Sequence, residues 1–263
     1  MKAEIAIIGG SGFYSLFDRA KEVEIDTPYG APSDKISLAS IAGRKIAFLA
    51  RHGKGHRFPP HKIPYRANVY ALKSLGVKRI IAPAAVGSLQ KEVKPGDFVI
   101  SDQFVDRTTT RAHTFYDEKP VTHVSMANPY CSELRGVALK SARVLKIPVR
   151  DGGTCVVVEG PRFSTRAESE WFSRNGWSVI NMTQYPEAAL ARELEMCYVN
   201  VSLVTDYDAG MIGNVAPVTA EEVGRVFAQN NERVKKLIAR MIPEIPRAIK
   251  KCDCGSALRH ARL

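Results

Sequence analysis

The chain has 263 residues, 45% of them hydrophobic and 25% charged, a balance that suits one large α/β domain with a substantial buried core. Its 38 Lys and Arg against 27 Asp and Glu leave a net charge of +11. The basic residues are dispersed, with no dense basic run, zinc-finger spacing or aromatic RNA-binding signature, so no nucleic-acid partner is expected, and attraction of a small anionic substrate or plain solubility accounts for the charge. No apolar run approaches the roughly 18 residues of a membrane span, and "MKAEIAIIGG" has no leader pattern, which sets the expectation of a cytoplasmic protein without membrane contact.

The first element, "EIAIIGG" (4–10), is an apolar strand running into the glycine-rich turn "GGSGFY". Gly10 and Gly12 fit a dinucleotide fingerprint, but its third glycine is replaced by Ser15, and the chain has no Gly-Lys-Ser or Gly-Lys-Thr for a triphosphate loop. What remains is a strand end whose backbone N–H groups and Ser11 hydroxyl suit an anion, or a tight turn without a ligand. Further strands are expected at "KIAFLAR" (45–51), "RIIAPAAVGS" (79–88), "DFVISDQFV" (97–105), "TCVVVEG" (154–160), "SVINMT" (178–183) and "CYVNVSLVTDYD" (197–208).

Between them lie helices: Pro64 to Gly76, a second from a capping Ser132, a third opened by a Thr165–Glu168 capping box, and a long one from a Thr219–Glu222 box that must end before Pro243. The pattern predicts an α/β fold, a central mixed, largely parallel sheet flanked by helices, as one domain over 1–263 with a surface tail at 246–263.

In such sheets ligands gather beyond the carboxyl ends of strands. The polar residues fall there: Gly9 to Gly12, Arg51 and His52, Gly87 and Ser88, Glu159 and Gly160, Asn181 to Thr183, and Thr205 to Asp208. Arg51 and His52 suit a tetrahedral oxyanion, the guanidinium bidentately and the imidazole as a further donor. His52, His56 and His61 offer a metal reading, although glycines and prolines between them disfavour a helical ligand pair. Asp206 and Asp208, two apart on an extended chain, share one side and suit departure of a basic heterocycle, glycosidase chemistry or magnesium. Of the five cysteines only "KCDCGS" (251–256) stands out. Its C-x-C would be half a metal site, but no second pair stands at readable spacing, so a local disulfide or free thiols is expected there.

"IIGGSGFY", "TPYGAPSD", "ARHGKGHRFPPHKIPYRANVYALK", "VGSL", "PGDFVISDQFVDRT", "EGPRFSTRAES", "INMTQYPEAALARE" and "TDYD" follow one another in an order and spacing that resemble the methylthioadenosine phosphorylase branch of the purine nucleoside phosphorylase family, over about residues 4 to 240. The resemblance implies phosphorolysis of a nucleoside by inorganic phosphate with no metal and no organic cofactor, in a homo-oligomer, a trimer or a dimer of trimers. It places phosphate on Ser11, Arg51, His52, the backbone at Ala84 and Ala85, and Thr183. The nucleoside falls on Phe163, Met182, Asp206 and Asp208, with Asp206 at purine N7 and Asp208 at the 6-amino group as the catalytic pair. Specificity at the 5′ end falls on His123, Ser164, Ala220, Val223 and Gly224. Ala84 stands where relatives carry a threonine hydroxyl, and Ala220 and Gly224 stand where bulkier aliphatics are common. The expected reaction is phosphorolysis of 5′-deoxy-5′-methylthioadenosine. The alternatives are a purine nucleoside phosphorylase acting on inosine, guanosine or methylthioinosine, and a non-catalytic nucleotide- or nucleic-acid-binding protein.

Overall fold

The computed structural model describes residues 2–10, 13, 20–210, 215–249 and 251–262. Along them run β1 (Ile5–Gly9), β2 (Lys21–Val23), β3 (Ile36–Ile41), β4 (Arg44–Ala50), α1 (Tyr65–Ser74), β5 (Arg79–Ser88), β6 (Phe98–Ile100), β7 (Gln103–Arg107), α2 (Ser132–Val144), β8 (Val149–Asp151), β9 (Thr154–Val158), α3 (Arg166–Arg174), β10 (Val179–Asn181), α4 (Gln184–Glu193), β11 (Cys197–Asp206) and α5 (Ala220–Glu244). The strands make one sheet in the order β2-β3-β4-β1-β5-β10-β9-β7, with β11 also pairing β5 and leading through β6 to β8. Six of its pairings are parallel and four antiparallel. This is the expected mixed, largely parallel sheet.

Strand periodicity divides the core. Successive side chains point to opposite faces, so Ile5 and Ile7 of β1 join Ile46, Phe48, Leu134, Leu237 and Ile238 on one face, under α2 and α5. Ala6 and Ile8 join Ala47, Leu49, Val69, Leu72 and Leu190 on the other, under α1 and α4. Covered on both faces, the central strands read as continuous apolar runs, which is why they are legible in the sequence.

Several boundaries differ from expectation. The run 97–105 is two strands, because β6 pairs β11 and β8 whereas β7 pairs β9, and the chain turns between them at Ser101 and Asp102. α2 is capped by Cys131, whose sulfur accepts from Leu134 N at 3.4 Å; Ser132 lies inside the helix, its hydroxyl donating to the carbonyl of Lys251. α5 passes through Pro243 to Glu244, because Met241, Ile242 and Ile245 are buried and Arg44 Nη1 donates to the Ile245 carbonyl beyond the helix end. α4 was not expected. It begins with a kink at Tyr185 and holds Pro186 in its first turn, a position proline tolerates.

One topological feature positions the site. β5 pairs β1 only at Arg79 to Ile81 and pairs β10 only at Gly87 and Ser88, so its edge from residue 82 to 86 faces an opening between those two strands.

Candidate active site

A cavity of about 840 Å³ lies over that opening, within the usual range for a small-molecule site. Gly10 after β1, Arg51 after β4, Ala84 to Gly87 in β5, Asn181 to Thr183 at the end of β10, and Thr205, Asp206 and Asp208 at the end of β11 all line it. The first half of α5 closes one side through Ala220, Val223, Gly224, Phe227, Ala228 and Asn231, which recur at helical spacing and share one face. The second half of α5, from Val234 on, is the part that packs on the core.

At one end stands Arg51, 3% exposed. Its Nε and Nη2 make a two-pronged ion pair with Glu187 at 2.8 and 2.9 Å, a second Nη2 hydrogen reaches the carbonyl of Ile8 at 2.9 Å, and Nη1 reaches that of Pro83 at 3.0 Å. Glu187, 1% exposed, also accepts from Tyr198 Oη at 2.7 Å. Burial works against the guanidinium charge, but Glu187 outweighs it and holds Arg51 protonated. The fork that the sequence suggests for an oxyanion is therefore closed on a carboxylate, and one Nη1 hydrogen is left for a ligand. His52 departs from expectation too. Its Nδ1 lies 2.9 Å from the Phe58 carbonyl, which can only accept, so Nδ1 carries the hydrogen. Burial, with His56 and Arg51 nearby, pushes its pKa down to about 4, and the neutral ring presents Nε2 as an acceptor. Its one N–H is taken by Phe58, so in this state it is not the further donor to an oxyanion that the loop sequence suggests.

The opening in the sheet supplies donors instead. The carbonyl of Pro83 accepts from Arg51 and that of Ala85 from Asn181 Nδ2 at 2.9 Å, so the peptide edges of residues 83 and 85 face the opening. Ala85 N–H shares that edge, while Ala84 turns its peptide toward β11 and its methyl group to the cavity. Asn181 Oδ1 accepts from the backbone of Thr183 at 2.6 Å and Gln184 at 2.7 Å, fixing the turn into α4. The Met182 carbonyl is taken by Arg111 Nη1 at 2.8 Å.

At the other end the backbone is shaped to bring two acids together. The register between β5 and β11 shifts between Val204 and Asp206, a bulge that re-aims Asp206. Gly87 makes room for it, since a Cβ there would stand 2.8 Å from Asp206 Oδ1 and 2.9 Å from an Ile180 methyl. Asp206 Oδ2 accepts from Thr205 Oγ1 at 2.6 Å and Oδ1 from Asp208 N at 2.8 Å. Burial, reinforced by Asp208 and Glu222 and opposed by those two hydrogen bonds, raises its pKa to about 6. Asp208 has a φ of 46°, unusual for a residue with a side chain, and burial raises its pKa while the Ser169 and Ser164 hydroxyls oppose the rise. Its Oδ2 is buried without a hydrogen-bond partner.

Comparison with known proteins fits this geometry. The profile of the phosphorylase superfamily matches residues 4–243. The chain belongs to that superfamily. An S-methyl-5′-thioadenosine phosphorylase of Thermofilum pendens is 54% identical to this phosphorylase-superfamily chain, over 99% of this chain and 98% of its own length. A purine nucleoside phosphorylase of Streptomyces coelicolor is 52% identical over 98% and 95%. The crystal structure of a methylthioadenosine phosphorylase from an antarctic soil metagenomic library superposes with a TM-score of 0.93 at 42% identity, covering 100% of this chain and 93% of that one.

The phosphorylase cavity gathers most residues singled out in the sequence: Arg51, His52, Ala84, Ala85, Phe163, Ser164, Met182, Thr183, Asp206, Asp208, Ala220, Val223 and Gly224 all line it. Ser11 lies outside the described residues. His123 stands apart from these: it is exposed, its backbone N–H donates to the Ala261 carbonyl at 2.7 Å, and it does not line the cavity of its own chain. His52 and His56 stack with ring centroids 4.0 Å apart, and among the described residues the group of potential metal ligands consists of cysteines. The sequence reading missed Glu187, which has no local signal because its partner is 136 residues away. It also missed Arg111, which ties Met182, Tyr185, Val158 and Glu159 together through their carbonyls.

Two predictions follow from the charges. Removing Arg51 strands a buried Glu187, so Arg51→Ala should cost about 3–5 kcal/mol of stability, and Arg51→Met with Glu187→Gln should recover most of it. Denaturant midpoints check this, and a single variant as stable as the parent would contradict the sealed pair. For Asp206 the folded pKa lies above the ordinary value of 3.8, so its stabilising contribution is complete below pH about 4 and lost as pH rises through about 6. Asp206→Asn should therefore gain on the parent in unfolding free energy between pH 4 and 7, by up to roughly 2–3 kcal/mol, read from denaturant midpoints at each pH. A gap that stays constant with pH would show that Asp206 ionises normally.

Proposed function

We propose that this chain catalyses phosphorolysis of 5′-deoxy-5′-methylthioadenosine to adenine and methylthioribose 1-phosphate, with inorganic phosphate as co-substrate and no metal or organic cofactor in the reaction. The observation that carries the reading is the acidic end of the cavity, where a carboxyl with a pKa raised to about 6 sits beside a second carboxylate whose Oδ2 lacks a partner. A 6-aminopurine satisfies both. Its exocyclic N–H donates to Asp208 Oδ2, and N7 takes the proton of Asp206 as the bond from C1′ to N9 breaks and its electron pair passes to the base. A phosphate oxygen forms the new bond to C1′ from the Arg51 and Ala85 end, where its charge also faces the developing carbocation. Neutral His52 accepts there through Nε2, from a phosphate hydroxyl or a ribose hydroxyl.

Ala84 cannot supply a hydroxyl to phosphate, which forgoes about 1.5–3 kcal/mol from a bond to a charged acceptor. At the 5′ end, a Cβ on Gly224 would meet nothing within 4 Å, and Ala220 is exposed, so the pocket has room beside a methylthio group and adenosine is expected as a second substrate. The Streptomyces relative, named a purine nucleoside phosphorylase, supports a second reading, phosphorolysis of other purine nucleosides, which would include the 6-oxopurines inosine and guanosine. Asp208 opposes it, because a carboxylate repels the 6-oxo group where an asparagine donates.

The reading extends to a homo-oligomer, a trimer or dimer of trimers, testable by mass in solution. It also extends to a cytoplasmic location, which fits five unbridged cysteines, while no helix among the described residues is long and apolar enough to cross a membrane.

The test is ultraviolet detection of adenine release from methylthioadenosine, with and without phosphate, in the parent and in Asp208→Asn. Release should require phosphate, and the variant should shift the ratio of kcat/KM toward 6-oxopurine nucleosides by about 10-fold or more. Release independent of phosphate would overturn the reaction, and equal losses on both substrate classes would overturn the role of Asp208.

A further inference from the structure

At the end of the sheet away from the cavity lies a second cluster with its own chemistry. Cys197 opens β11 and Asp206 closes it, so the two ends are separated by about 30 Å of extended strand. Beside Cys197 stand Cys131, at the N-terminus of α2, and Cys252 and Cys254 from the chain beyond α5. The four Sγ atoms all lie within 4.8 Å of one another, and Cys197 and Cys252 are 3.6 Å apart. None is bridged. Four thiolates around a tetrahedral zinc at a bond length of about 2.3 Å stand about 3.8 Å apart, so the sulfur atoms already stand close to the separation that this ion requires.

Other contacts prepare the site. Three of the cysteines are buried and the fourth is half-buried. Leu134 N–H points at Cys131 Sγ from the first turn of a 13-residue helix, which favours a thiolate there. Asp253, between the two tail cysteines, accepts from Arg192 Nη2 at 3.0 Å, and Arg192 Nε donates to the Ser125 carbonyl, so the C-x-C turn is held by a buried cation. The rest of the tail docks alongside: Arg79 Nη2 donates to the Ala248 carbonyl at 2.8 Å and Lys251 N to Glu133 Oε1 at 3.3 Å. The C-x-C that has no second pair at readable spacing in the sequence thus finds one in Cys131 and Cys197.

We propose that Cys131, Cys197, Cys252 and Cys254 bind one zinc ion in a closed tetrathiolate site that fastens the C-terminal segment to β11 and α2. Binding forms four zinc–sulfur bonds and releases the four thiol protons to solvent, leaving a site of net charge −2 beside Arg192 and the N-terminus of α2. With four protein ligands and no open position the ion is structural and takes no part in the reaction at the other edge of the sheet.

The test is metal analysis of the full-length protein purified under reducing conditions without chelator, followed by zinc release on titration with a mercurial thiol reagent. About one zinc per chain, released as the thiols react, is the expected result. Cobalt loading of the metal-depleted protein should add the visible bands of tetrahedral cobalt thiolate. The pair Cys252→Ser and Cys254→Ser should lose the zinc, melt at lower temperature and expose the segment after Pro246 to protease, while kcat/KM at low temperature stays within about two-fold. The proposal is overturned if the parent holds no zinc and its cysteines are disulfide-bonded by mass, if reduced metal-free protein takes up neither zinc nor cobalt, or if the double variant retains zinc.

Discussion

The site depends on a change of partner by one strand. β5 leaves β1 after Ile81 and meets β10 only at Gly87, so a row of main-chain groups at the centre of the sheet faces an opening rather than another strand. Unpaired main-chain groups in a protein interior are costly unless something pairs them. Here side chains from other elements take two of the carbonyls, Arg51 that of Pro83 and Asn181 that of Ala85, and because proline has no N–H, Ala85 N–H is the donor these two residues leave for a ligand. Arg51 is itself anchored by Glu187 across the opening, so the pair holds the ends of β1 and β4 against α4. Its charge is largely balanced before any phosphate arrives. An anion bound here would rest on Ala85 N–H and one guanidinium hydrogen more than on net positive charge, even though the chain carries +11 overall.

The opposite end follows the same economy with burial in place of pairing. A bulge in β11 and the missing side chain at Gly87 press Asp206 into a pocket where its ionised form is disfavoured, and at Asp208, whose backbone is left-handed, a carboxylate oxygen is buried without a hydrogen-bond partner. Each feature costs folding energy, and such costs cluster at binding sites. A base between the two acids, with a ribose bridging toward β5, would draw on both ends at once.

How much of this could be read beforehand depended on whether the cause was local. The buried strands and the Thr165 capping box are local, and they appeared where periodicity and capping chemistry placed them. The strand ends with their glycines, acids and Arg51 were legible for the same reason. The short strands β2 and β8 carry little periodic signal, and α4 hides behind Pro186 and a kinked first turn. Glu187, Arg111 and the pairing of Cys131 and Cys197 with the tail C-x-C arise from contacts between distant segments, which spacing along the chain cannot show. His123, singled out by the family resemblance, lies on the surface of its own chain, where its backbone N–H bonds to Ala261.

The most direct test of the central claim is a crystal structure of the protein with adenine and phosphate bound. The account predicts the base edge between Asp206 and Asp208, with N7 toward Asp206 and the 6-amino group on Asp208 Oδ2. It predicts the anion at the opening beside Ala85 N–H and the free Nη1 hydrogen of Arg51, with the pair to Glu187 intact. A base bound away from the two acids, or an anion that breaks the pair to take the whole guanidinium fork, would contradict it.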